Sequence, residues 1–155
     1  MLNVKPYEQI KSGFCGPAAL KMVFGYYGIE KSEAEIGRLS NCSVRRGTSV
    51  SGILKAVRAV GLKGFVRDFC DISDILKYVK KRIPVIVNWF SHDNGHYSVA
   101  VGIDGRNIYF QDPEIGKIRE MSLKKFKTVW FDFPGDFLKS KRDVVIRRMI
   151  VINND

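Results

Sequence analysis

Residues 84–113 read PVIVNWFSHDNGHYSVAVGIDGRNIYFQDP, and this stretch decides the fold class. PVIVNWF is an apolar run bounded by Pro84 and a polar SHDNG segment. That is the pattern of a strand buried on both faces. YSVAVGI and NIYFQ follow on either side of DGR, which is a hairpin signal. Further strands are expected in TVWFDF and in VVIRRMIVI, with a short helix in SLKKFK ahead of them. The second half therefore reads as an antiparallel sheet.

Upstream the periodicity changes to that of helices. After Cys15, the residues Ala19, Leu20, Val23, Phe24 and Tyr27 share one helical face, and Gly28 stops the run. SEAEIGRL opens on Ser32 with Glu35 three residues later, the spacing of a capping box. TSVSGILKAVRAVG spaces Val50, Ile53, Leu54, Val57 and Val60 for a third helix ending at Gly61. A short strand is expected near residues 64–69. DISDILKYVKKR is a fourth, amphipathic helix with Ile72, Ile75, Leu76 and Val79 inward. Helices first and sheet second give an α+β class. The 155 residues suit one domain spanning residues 1–155.

Composition narrows the function. No apolar run reaches the roughly 18 residues of a membrane span. MLNVKPYEQIKSG lacks the apolar core of a secretion signal, so a cytoplasmic location with reduced thiols is expected. The three cysteines form no CxxC pair, so neither a disulfide framework nor a metal site is expected. The net charge is +10, with ten Lys/Arg against four Asp/Glu between Lys117 and Arg148. A solvated basic face accounts for this. Nucleic acid is disfavoured as a partner, because no aromatic-basic interleaving or binding motif accompanies the charge.

The chemistry gathers around Cys15 in YEQIKSGFCGPAAL, residues 7–20. Pro17 suits a first helical turn, which puts Cys15 at or near the N-cap. A thiolate there faces the positive end of the helix dipole and unpaired N–H groups, a setting that favours a nucleophile. Taken alone, a small buried hydrophobe is an equal reading. A nucleophile needs a base, and the only histidines are His92 and His96. His92 sits in the polar loop, whereas His96 abuts a strand that would fix it.

Asp112 is the acid candidate. If DGR is a three-residue loop, Ile103 opposes Asn107 and Asp112 opposes Ser98. His96 lies two residues from Ser98 on the same face. His96 and Asp112 then become diagonal neighbours about 7–8 Å apart at the backbone. A two-residue loop would send them to opposite faces unless a bulge compensates. Cys15, His96 and Asp112 thus supply a nucleophile, a base and a group that orients the base. Gln9 can donate its amide to an oxyanion beside the Cys15 N–H. Cys42 and Cys70 have no such partners and read as structural thiols. Trp89 and Trp130 read as core, with Trp89 also able to line the cleft.

QIKSGFCGPAAL, PVIVNWFSHDNGHYSVAVGID and IYFQDPEIGKIREMSLKKFKTVWFDF together resemble the bacteriocin-processing, double-glycine-leader cysteine peptidases, from about Gln9 to Phe133. The resemblance implies a papain-like fold and a peptidase with Cys15, His96 and Asp112 as its triad and Gln9 in its oxyanion hole. It implies no cofactor. Gly116, Phe126 and Trp130 match the family's general pattern as structural residues. Most relatives of this kind are domains of peptide-exporting ABC transporters. The expected partners are therefore a peptide substrate and a separate ABC exporter, unless the enzyme acts free-standing. A peptide-binding module of the same fold and a thioester-forming acyl transferase are the alternatives. The basic segment DFLKSKRDVVIRR has no counterpart in the pattern.

Overall fold

A computed structural model describes residues 1–92 and 94–155. A six-stranded antiparallel sheet is its spine. The strands are β1 (Lys63–Arg67), β2 (Val85–Ser91), β3 (Asn94–Ile103), β4 (Asn107–Asp112), β5 (Lys117–Ser122) and β8 (Met149–Asn153), in the order β1-β8-β2-β3-β4-β5. The two-residue strands β6 (Phe131–Asp132) and β7 (Val145–Ile146) pair separately.

Helices cover both faces. On one, α1 (Cys15–Tyr26), α2 (Glu33–Leu39) and α3 (Val50–Ala59) bury Leu20, Phe24, Ile36, Ile53 and Val57 against Ile86, Val99 and Ile150. On the other, α4 (Ile72–Lys80) and α5 (Leu123–Val129) bury Ile75 and Phe126 with Val85, Val87, Phe110 and Val151. Strand β2 therefore feeds two cores with alternate side chains. That is why its sequence is apolar throughout and does not alternate. The capping box at Ser32 and Glu35 forms as its spacing predicts.

Three expectations change. Thr128 and Val129 finish α5 and Trp130 caps it, so TVWFDF contributes only the strand β6. The Trp130 indole donates to the Arg148 carbonyl at 2.9 Å, which ties that end of α5 down. KIREMS, whose charges hide its alternation, is the edge strand β5. VVIRRMIVI breaks at Arg147, whose φ of 48° divides β7 from β8.

The unplaced tail is structural. Strand β8 lies between β1 and β2, with Met149, Ile150, Val151 and Ile152 buried. The basic pair is held as well. Arg147 Nε donates to the Cys70 carbonyl at 2.6 Å, and Arg148 Nε and Nη2 reach the Asp68 carboxylate at 2.6 and 2.9 Å. Truncating Ile150 to alanine leaves a cavity between β1 and β2 and is expected to cost about 2–5 kcal/mol. Urea denaturation checks this; a loss under about 1 kcal/mol would mean the tail is an appendage.

Candidate active site

The hairpin register delivers His96 and Asp112 to the same place by a route the sequence left open. Ile103 opposes Ile108, not Asn107, so the loop carries Gly105 and Arg106 between a paired Asp104 and Asn107. That even loop would put His96 and Asp112 on opposite faces. A β-bulge between Ala100 and Gly102 restores the register, so that Val99 opposes Gln111. One more step along both strands brings Asp112 opposite Ser98, as the face-sharing expectation requires.

The bulge has a physical cause in the N-terminal segment. Leu2 N–H donates to the carbonyl of the bulged Val101 at 2.8 Å, so the extra residue's backbone is paired. Gly102 packs so closely on Met1 that a Cβ there would lie 2.5 Å from Met1 Cγ. The segment continues along the sheet edge. Gln111 Nε2 donates to the Val4 carbonyl, and Gln9 N–H to the Pro113 carbonyl, each at 2.8 Å. Gln9 is thereby delivered to the cleft.

Cys15 is the first residue of α1, one position past the N-cap Phe14. Its turn is clamped from several sides. The buried carboxylate of Glu33 accepts from the N–H groups of Ile10 and Lys11 at 2.8 and 3.1 Å. Gly16 lies so close to Thr48 that a Cβ would sit 2.8 Å from Thr48 Oγ1. Phe14 packs on Gly37, whose Cβ would meet its ring at 2.6 Å. A helix's first N–H groups lack intrahelical acceptors, and Pro17 has none to offer, which leaves those of Cys15 and Gly16 for a ligand.

A cleft of about 310 Å³ joins these residues; Gln9, Gly13, Cys15, Gly95, His96 and Glu114 line it. A larger depression of about 840 Å³ carries Lys11, Arg38, Cys42 and Arg46 but no histidine or carboxylate among the described residues. The smaller cleft is the one equipped for chemistry. His92 lines it too, but is exposed at the turn. The expected polar loop also contains Asp93, which lies outside the described residues.

Within the cleft, His96 Nε2 meets Asp112 Oδ1 at 2.5 Å, with His96 only 5% exposed and Asp112 fully buried. With Nε2 engaged, Nδ1 is the nitrogen left for Cys15. Burial disfavours the imidazolium, but contacts with Asp112 and Cys15 outweigh it, and the His96 pKa is pushed up to about 9. Burial also opposes the Asp112 carboxylate. The His96 contact, the Glu114 N–H at 2.9 Å and Arg119 override it and hold its pKa below the usual value. Both shifts favour the ion pair.

Gln9 stands at the other side of the cleft. Its Nε2 donates to the Lys11 carbonyl at 3.0 Å, which uses one of its two N–H groups. Trp89 opposes His96 across β2 and β3, and the two rings pack edge to face with centroids 5.5 Å apart. Its indole donates to Ser98 at 3.0 Å, so it buttresses the His96 ring from the core. Burial pushes the Cys42 and Cys70 thiols up in pKa, which suits structural roles.

The sequence pattern did not single out Arg119 or Glu114. Arg119 Nε binds Asp112 Oδ2, and its Nη2 lies 3.5 Å from Glu114. The same hairpin logic finds it, since Asp112 opposes Lys117 and Arg119 is therefore its diagonal neighbour. Ligand atoms of His96, Asp112 and Glu114 lie within 4.8 Å of one another. Arg119 binds both carboxylates and already supplies the countercharge a metal ion would bring.

Comparison with known proteins gives the family and the fold. The model of the family described as Peptidase C39 matches residues 3–133. An uncharacterised protein of Methanothermobacter marburgensis is 36% identical over 110 residues, covering 70% of this chain and 71% of its own length. The lactococcin transport/processing ATP-binding protein LcnC-like of Lactococcus lactis is 29% identical over 125 residues. That match covers 79% of this chain but 17% of the transporter. Among solved structures, the peptidase domain of Streptococcus ComA, a bi-functional ABC transporter, superposes with a TM-score of 0.80. It is 24% identical and covers 99% of this chain and 100% of that one. A double glycine motif protease from an AMS/PCAT transporter, solved with its leader peptide, gives 0.73 at 21% identity, covering 97% and 91%. The fold is thus the papain-like α+β fold expected from the sequence. No helix among the described residues is long and apolar enough to cross a membrane.

Proposed function

The chain belongs to the peptidase C39 family, and on that premise we propose that it is a cysteine endopeptidase cutting after a small-residue pair of the Gly-Gly type. The observation that carries this reading is the buried Asp112–His96 hydrogen bond opening onto the cleft that holds Cys15 at the start of α1.

The chemistry follows from those positions. The Cys15 thiolate attacks the scissile carbonyl and forms a C–S bond. The Cys15 N–H and the second N–H of Gln9 receive the oxyanion, where donors aimed at developing charge contribute most. As the intermediate collapses, the His96 imidazolium gives its proton to the leaving amine. Water then attacks the thioester, with His96 taking its proton, and the C–S bond breaks to release the carboxylate product and restore the Cys15 thiolate. Asp112 keeps the imidazole oriented and stabilises its charged form.

The substrate class comes from relatives. One solved relative carries a leader peptide, and curated relatives are transport/processing proteins. We therefore place the substrate among leader-bearing peptides bound for an exporter, with cutting in the cytoplasm. Small residues before the cut suit a cleft this narrow, where Gly13 and Gly95 form part of the wall.

The test is incubation with a double-glycine leader peptide, with products read by mass spectrometry. The expected result is one cut after the glycine pair, yielding a free carboxylate. An amine adduct in its place would indicate acyl transfer. Binding without a cut would leave a peptide-binding module.

A further inference from the structure

We propose that Arg119 is a positioning residue for the His96–Asp112 pair, a proposal that rests on the peptidase reading above. Four contacts close a ring around the base. His96 Nε2 meets Asp112 Oδ1 at 2.5 Å, and Asp112 Oδ2 is bound by Arg119 Nε. The guanidinium lies over the Trp89 ring, 5.8 Å from its centroid, and the Trp89 and His96 rings pack edge to face with centroids 5.5 Å apart. Each member is held by two neighbours.

The ring has a mechanical consequence. A carboxylate bound through one oxygen can rotate. Fixing the other oxygen to a planar guanidinium sets which oxygen, and which lone pair, faces the imidazole. Arg119 is in turn fixed by stacking on Trp89 and by Glu114 at 3.5 Å. The His96 ring is therefore oriented through Asp112 by a residue that does not touch it.

The electrostatic consequence is separate. The titratable and charged groups facing His96 among the described residues are Cys15 on α1, Asp112 on β4, Glu114 after β4, and Arg119 through Asp112. Glu114 Oε2 lies 3.9 Å from His96 Nε2. Arg119 offsets both carboxylates. Without it, His96 faces two carboxylates with no countercharge and holds its proton more tightly. An imidazolium that holds its proton too tightly is a poorer acid toward the leaving amine.

The experiment compares the full-length chain with its R119Q and R119K variants. Imidazole titration by NMR is read beside leader-peptide kinetics. For R119Q the His96 midpoint is expected to rise. Its kcat is expected to fall on the order of tenfold to a hundredfold, with KM within about twofold. Lysine keeps the charge but not the planar fork. R119K is therefore expected to restore the midpoint while kcat stays low. An unmoved His96 midpoint in R119Q, a change confined to KM, or wild-type kcat in R119K would each overturn the positioning role. Absence of cleavage by wild type would overturn the peptidase reading alone, because the titration decides the part played by Arg119 without turnover.

Discussion

Replacing Cys15 with alanine is expected to reduce leader-peptide cleavage on the order of a millionfold, to the level left by binding and the oxyanion donors. No second thiol among the described residues lines the cleft. Cys42 and Cys70 have thiols pushed up by burial, and neither lines the cleft. The fold has no reason to fail, because Cys15 is only half-buried and alanine suits a first helical turn. A stability change within about 1 kcal/mol is expected. A readout independent of turnover comes from His96, whose pKa is raised in part by Cys15. In the alanine variant that contribution disappears, and the imidazole titration moves down from about 9. Cleavage that survives in a folded variant would remove Cys15 from the chemistry altogether. Rapid alkylation of Cys15 by iodoacetamide, well ahead of Cys42 and Cys70, is the companion expectation.

How far the sequence carried the fold depends on how local each cause is. The pattern of α3 and α4 was legible because each buries one stripe, and a stripe repeats every turn, whereas α1 is buried on most of its surface and is marked by its Gly-Pro start and its Gly28 stop. The capping box at Ser32 was legible because both partners lie within four residues. The bulge in β3 was not, because its pairing comes from Leu2, about a hundred residues away. Its outcome was still legible, since only a bulge or an odd loop lets His96 and Asp112 share a face. Strand β5 was hidden because it is an edge strand rich in charge, with only Met121 fully buried. Strand β8 was legible in VVIRRMIVI, but its break from β7 at Arg147 and its place between β1 and β2 depend on long-range pairing.

The candidate site divides the same way. Cys15 announces itself through Gly-Pro and the helix start. His96 and Asp112 follow from strand positions. Gln9 was found by its spacing from Cys15, but its placement depends on backbone pairing to Pro113. Arg119 and Glu33 had no local mark. Glu33 reads as a first-turn helix residue, yet its buried carboxylate holds the Ile10–Lys11 turn ahead of the nucleophile. Both act through other residues, and such support is visible only once the strands are paired.

The Asp112→Asn variant separates catalysis from stability through pH. In the wild type, His96 keeps its proton to about pH 9 because Asp112 and Cys15 outweigh its burial. Activity that needs the imidazolium should then decline as pH rises through about 9. Asparagine removes the negative charge, so the alkaline limb moves down toward the ordinary histidine value near 6.5. The rate is expected to fall on the order of 10²- to 10⁴-fold, since base orientation and charge stabilisation are lost together. Stability follows the same linkage. A raised histidine pKa contributes stability that is complete below about 6.5 and lost as pH rises through about 9. The Asp112 contribution has the opposite sense: its lowered pKa gives stability above about 3.9 that is lost as pH falls through the folded value. Denaturation across pH should therefore show wild-type stability falling on the alkaline side, and the variant should be flat there but less stable at neutrality by about 3 kcal/mol. Equal alkaline slopes in the two proteins would mean that His96 and Asp112 are not an ion pair. The rate loss would then need another cause than the charge on Asp112.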